Sequence, residues 1–209
     1  MEDKILYHGS KKGIFGAIQP ISRQYCDFGR GFYLGTDPLQ PLTLICMEKN
    51  PVVYQIKLDL KDLNVLQVPF SIEWALLIAY HKGYMEEAKG SMIYKKYETL
   101  SKGYDVIQGY IADDRMYKVM KSFFEKEITD AALFKSLSAL DLGTQYVLKT
   151  QKACNQLEIL KEKKLSPLEL EILKDKSIER RDKGMKLTDD ILKKYRREGK
   201  YFDEILGGL

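Results

Sequence analysis

The segment Val52-Val53-Tyr54-Gln55-Ile56-Lys57-Leu58 alternates apolar and polar side chains. That period of two belongs to a strand with one face in a core. Similar short runs stand at Lys4 to His8, Leu63 to Val68, Tyr104 to Ile111 and Gln145 to Lys149. Helix starts fall among them at irregular intervals: Thr36-Asp37-Pro38, Ser71 ahead of Trp74, Leu77, Ile78 and His81, and Thr129-Asp130. Further helices are expected over 92–100 and 115–124, and the Thr129-Asp130 helix runs through Leu140. Strands and helices do not alternate regularly, so a doubly wound parallel sheet is not expected. The fold class is α+β.

From Thr150 onward Lys and Glu interleave with Leu and Ile. Three helices are expected there, over 151–164, 167–182 and 188–197, with turn signals at Ser166-Pro167, Lys183-Gly184 and Glu198-Gly199. This divides the chain into a domain over 1–150 and a charged helical appendage over 151–209. The appendage either packs on the domain or folds on a partner.

The chain has 209 residues, 44% hydrophobic and 31% charged, which suffices for a packed core. Lys and Arg exceed Asp and Glu by a net +4, most of it in the tail; this neither implies nor excludes a nucleic-acid substrate. No apolar run reaches the ~18 to 20 residues of a membrane helix. The charged Met1-Glu2-Asp3-Lys4 start does not read as a secretion leader. Cys26, Cys46 and Cys154 are odd in number and widely spaced, which predicts neither a zinc site nor a disulfide framework. A cytoplasmic location is expected, with no metal. Neither GxGxxG nor GxxxxGK[ST] occurs, so those phosphate-binding loops are not indicated.

Three segments carry the chemistry: Leu6-Tyr7-His8-Gly9-Ser10, Phe28-Gly29-Arg30-Gly31-Phe32-Tyr33-Leu34-Gly35-Thr36-Asp37, and Gly143-Thr144-Gln145-Tyr146-Val147. In this order they resemble the His-Tyr-Glu class of ADP-ribosyltransferases, the class of diphtheria toxin and the poly-ADP-ribose polymerases. The resemblance covers roughly residues 4 to 150. Its nearest match is a poorly characterised bacterial ADP-ribosyltransferase-like group, some members of which lie beside small partner genes as toxin–antitoxin pairs do. It implies a split β-sandwich, two small packed sheets around a cleft, with peripheral helices.

The resemblance further implies NAD as co-substrate and a macromolecular acceptor, protein or nucleic acid. The resemblance does not reach the tail, whose charged helices are expected, on their own composition, to offer a surface to an antitoxin or other protein partner. His8 would bond a ribose hydroxyl and Gly9 would clamp the nicotinamide amide, with Ser10 beside them. Tyr33 would pack on the nicotinamide ring, and Arg30 would face the pyrophosphate. By the resemblance, His8, Tyr33 and Gln145 would form the catalytic set. Positive charge grows on the ribose as nicotinamide leaves, and preorganised negative groups favour that state.

The sequence departs from the class in two places. Gln145 stands where a glutamate is usual, keeping hydrogen-bonding capacity without the charge. Three readings are open: a transferase with a weaker charge term, a module that binds NAD or a partner without turnover, or a third functional residue other than Gln145. Leu44 stands where a second aromatic ring is often found. Glu158, in an expected helix, reads as a solvated charge; Asp141 reads as a turn residue and His81 as structural. Asp113-Asp114-Arg115 reads either as a helix cap with a surface ion pair or as a contact to ligand or acceptor.

Overall fold

The computed structural model describes residues 3–112, 114–138, 143–195 and 197–207. Seven strands form one sheet: β1 (Lys4–Ser10), β2 (Phe32–Gly35), β3 (Val52–Leu58), β4 (Val65–Val68), β5 (Val106–Tyr110), β6 (Thr144–Leu148) and β7 (Leu157–Lys164). Their order is β4-β5-β6-β2-β1-β3-β7. Only β4 and β5 run parallel; every other neighbouring pair is antiparallel. The class is therefore α+β with a mixed sheet.

The expected two sheets are one hydrogen-bonded sheet, but its middle is thin. β1 pairs with β3 along its whole length, from Lys4 opposite Leu58 to Ser10 opposite Val52. β1 meets β2 at a single pair, Tyr7 opposite Gly35. Two wings, β4-β5-β6-β2 and β1-β3-β7, thus join at one point. β2, with four residues, is too short to run the length of β1.

The alternation in β3 buries Val52, Tyr54, Ile56 and Leu58, as its sequence predicts. With Leu6, Leu34 and Leu148 they form the core on one face of the sheet. The larger core lies on the other face, where Ile107 and Val147 meet the helices. Central to it is α2 (Ile72–Lys82), whose residues Trp74 to Ala79 are all buried. Ser71 Oγ accepts from the Trp74 amide at its start, and Gly83 closes it with φ 82°. Around α2 stand α3 (Met92–Leu100), α4 (Asp114–Phe124) and α5 (Asp130–Ser138). The short α1 (Leu39–Ile45) starts where Asp37 Oδ1 accepts from the Leu39 amide, 2.9 Å away.

The tail departs from expectation. Residues 151–164 form a four-residue helix, α6 (Gln151–Cys154), and then strand β7 on the edge of the sheet. Lys and Glu favour helix only weakly, and pairing with β3 overrides that preference. The sheet therefore continues past residue 150. Segments 167–182 and 188–197, expected as separate helices, form one helix, α7 (Pro167–Tyr195), which passes Lys183-Gly184 without interruption. A glycine inside a helix costs only about 1 kcal/mol against alanine. Ser166 and Glu169 cap its start reciprocally: the Glu169 carboxylate accepts from the Ser166 amide, and Ser166 Oγ from the Glu169 amide. The last helix, α8 (Phe202–Gly207), returns to the larger core.

Candidate functional site

His8 lies on β1 beside the thin middle of the sheet. Its Nδ1 is 2.8 Å from the backbone carbonyl oxygen of Tyr33. A carbonyl only accepts, so Nδ1 carries the proton. Burial lowers the imidazole pKa, partly countered by that hydrogen bond, so the ring is held neutral. Nε2 is then a lone-pair acceptor, with no partner among the described residues. The ring is stacked on Phe32, centroids 4.3 Å apart.

Phe32 and Tyr33 are consecutive on β2 and point to opposite faces. His8 therefore reaches β2 through the Tyr33 carbonyl and the Phe32 ring, not through the Tyr33 ring. The Tyr33 hydroxyl donates to the Gly29 carbonyl at 2.6 Å and accepts from the Phe28 amide at 3.1 Å. Burial, and secondly the charge of Asp27, push its pKa well up, so the hydroxyl stays protonated. Tyr33 pins the loop before its own strand.

Lys149 holds the same loop. Its Nζ donates to the Phe28 carbonyl at 2.7 Å and the Arg30 carbonyl at 2.5 Å. Burial brings its pKa down to about 8. His81 packs alongside, and burial first, then Lys149, lowers its pKa to about 4. Its Nε2 is buried without a hydrogen bond among the described residues. Gly29 has φ 72°, and a Cβ there would lie 2.8 Å from His81 Nδ1. Only glycine fits both the left-handed backbone and the space.

Gln145, on β6 opposite Gly35, is 4% exposed. Its Nε2 donates to Asp27 Oδ2 at 3.0 Å and to the Tyr110 carbonyl at 3.1 Å. Asp27 Oδ2 also accepts from the Ala112 amide at 3.2 Å, and Oδ1 pairs with Lys82 Nζ at 3.0 Å. The Tyr110 carbonyl accepts in addition from Trp74 Nε1 at 3.1 Å. Helix α2 thus supports the cluster from both ends, through Trp74 and Lys82.

The motif strands β6, β2 and β1 are consecutive in the sheet despite their separation in the chain. Gly9 is packed by α1: a Cβ there would come 2.7 Å from the Pro41 carbonyl oxygen. Ser10 Oγ donates to the Gly13 carbonyl and accepts from the Gly13 amide, shaping the loop after β1. The Arg30 side chain is exposed. Leu44 is 62% exposed on α1, so it offers no enclosed face to a ring. Glu158 lies on strand β7 rather than in a helix, and is solvated beside Lys57, 3.1 Å away. Asp113 and Asp141 fall outside the described residues, as do the side chains of Asp114 and Arg115.

Sequence reasoning missed Asp27, Lys82 and Lys149. Asp27 carries a faint signal: an acid set between Cys26 and Phe28 in a glycine-rich aromatic loop. Among the described residues no group of three or more His, Cys, Asp or Glu could hold a metal ion. No helix of the described residues is long and apolar enough to cross a membrane.

The fold and the cluster define an α+β protein whose mixed sheet is pinched beside a neutral histidine and a network of buried Gln145 and Asp27 with half-buried Lys82. The chain belongs to the family described as protein of unknown function DUF3990, whose model matches residues 4–159, from the start of β1 into β7. No curated protein and no solved structure matches it.

Proposed function

We propose that the protein is an NAD-dependent ADP-ribosyltransferase acting on a macromolecule, with the dinucleotide held at the junction of the two wings. The observation that carries this reading is the His8 imidazole, fixed by the Tyr33 carbonyl with Nε2 left as an acceptor. A ribose offers hydroxyl donors, and an oriented neutral acceptor suits them. The single pairing of β1 with β2 supports a split sandwich, since on the side facing β2 it leaves His8 and Gly9 without a strand partner, while β3 pairs them on the other side. Tyr33 offers a half-buried ring, and Arg30 an exposed cation for the pyrophosphate.

The test is incubation with NAD, following nicotinamide release and the mass of candidate protein and nucleic-acid acceptors. Folded protein that releases no nicotinamide and leaves no ADP-ribose adduct sinks the reading. A toxin held in check by an antitoxin is the biological setting that the motif resemblance suggests.

A second reading, an NAD-binding or partner-binding module without turnover, is favoured by Gln145. Its amide hydrogens are spent on Asp27 and Tyr110, and it carries no charge of its own. Calorimetry showing NAD binding, with no nicotinamide release, selects this reading.

A further inference from the structure

We propose that Asp27 supplies the negative character missing from position 145, acting through the amide of Gln145 as a positioning and polarising residue. The proposal rests on the NAD reading of the site.

The hydrogen bonds fix the amide's orientation. Asp27 Oδ2 and the Tyr110 carbonyl are both acceptors, so the group facing them must be NH2. Both amide hydrogens are thereby used. Oε1 is turned the other way; it accepts no bond from a described residue and is not among the sealed-off unpartnered atoms. It can accept from a ribose hydroxyl, as a glutamate oxygen would.

Asp27 is 9% exposed, and its charge is held rather than solvated. Lys82 sits on Oδ1 and the Ala112 amide on Oδ2, so the carboxylate cannot turn away. The Asp27–Lys82 pair has its negative end on Gln145. A carboxylate against Nε2 draws the N–H bonds toward itself and raises the electron density on Oε1. The same charge reaches Tyr33, where it is the second cause of the raised hydroxyl pKa.

This arrangement also accounts for the residue type. A glutamate at 145 would set its carboxylate against the Asp27 carboxylate and the Tyr110 carbonyl, with no proton between them. Glutamine is the acceptor-bearing side chain that these neighbours allow.

The experiment is steady-state nicotinamide release for the full chain and three variants, with calorimetric NAD binding and thermal unfolding of each. Asp27→Asn is expected to lower kcat about tenfold to a hundredfold while KM for NAD stays within about threefold. Gln145→Glu is expected to lower kcat comparably at pH 8 and to recover as pH falls, since one of two facing carboxyls then takes a proton. Asp27→Asn/Gln145→Glu is expected to regain about tenfold over Gln145→Glu, because the asparagine amide can donate to the new carboxylate. Should Gln145→Glu fail to fold, kcat and KM of Asp27→Asn decide the proposal.

Asp27→Asn with kcat within about twofold of the parent overturns the proposal, as does a double variant showing only the product of the single losses. Parent protein that neither binds nor cleaves NAD overturns the reading of the site, and this proposal with it. NAD binding without nicotinamide release leaves the site standing and overturns Asp27 as an aid to turnover.

Discussion

At the scale of the residue, the side chains around the pinch each have a definite task, and the tasks can be separated. The Tyr33 hydroxyl serves the loop, since it bonds the Gly29 carbonyl and the Phe28 amide. Tyr33→Phe should cost about 1 to 3 kcal/mol of unfolding free energy in urea titrations, because two loop groups lose their partner. If the ring contacts nicotinamide, kcat/KM should fall far more in Tyr33→Leu than in Tyr33→Phe. The two histidines set a pH dependence. His8 and His81 both have folded-state pKa values below 6.5, by burial, and His81 lies at about 4. The unfolded chain therefore binds more protons as pH drops below 6.5. The contribution of His81 is full above that pH and is lost as pH falls toward 4. Unfolding monitored from about pH 7.5 to about pH 4.5 should show stability falling with acid. The fall should be smaller in His81→Leu, which also removes the unpartnered Nε2. An unchanged slope in that variant would overturn the burial of His81.

At the scale of the element, strands with a buried face were legible and the exposed edge strand was not. β3 reads directly because Val52, Tyr54, Ile56 and Leu58 fall on one face. α2 reads from Ser71 and the apolar run behind it. β7 does not, because Leu157 is its only partly buried side chain and the rest are exposed. Its identity is decided by the free edge of β3, which no local pattern reports. His8, Tyr33 and Gln145 stand out in the sequence as candidates, but their hydrogen bonds do not. The Asp27–Gln145 bond spans 118 residues, and nothing local to Asp27 announces a glutamine on β6. The loop between Cys26 and Gly31 is the element on which these bonds converge, and Lys149 holds it by two carbonyls. Lys149→Met keeps the aliphatic stem and removes the donors. It should speed hydrogen exchange over 26–31 while leaving that of β3 unchanged. Equal protection in both proteins would show that Lys149 does not restrain the loop.

At the scale of the whole molecule, the tail is part of the same body as the sheet. The family match ends at residue 159, yet the chain beyond that residue carries buried groups. Phe202 of α8 is 2% exposed, with its ring 5.4 Å from that of Phe123 and 5.3 Å from that of Phe124. Leu173 of α7 is also buried. The Lys200 carbonyl accepts from the Asp130 amide at 2.9 Å, and Asp130 Oδ1 from the Lys200 amide at 2.8 Å, tying the chain before α8 to the start of α5. A chain ended at residue 165 keeps every strand but uncovers Phe123 and Phe124 in α4. It should be poorly soluble and bind a hydrophobic dye. Ending at residue 150 removes β7 as well and exposes the edge of β3, so the loss should be larger. Within the intact chain, Phe202→Ala should cost about 3 to 5 kcal/mol, the range for a buried aromatic cut to alanine. That variant separates two uses of the tail. If α8 serves only as a support, Phe202→Ala lowers stability and leaves kcat and KM for NAD unchanged below the unfolding transition. A variant as stable as the parent would mean that α8 does not pack on α4.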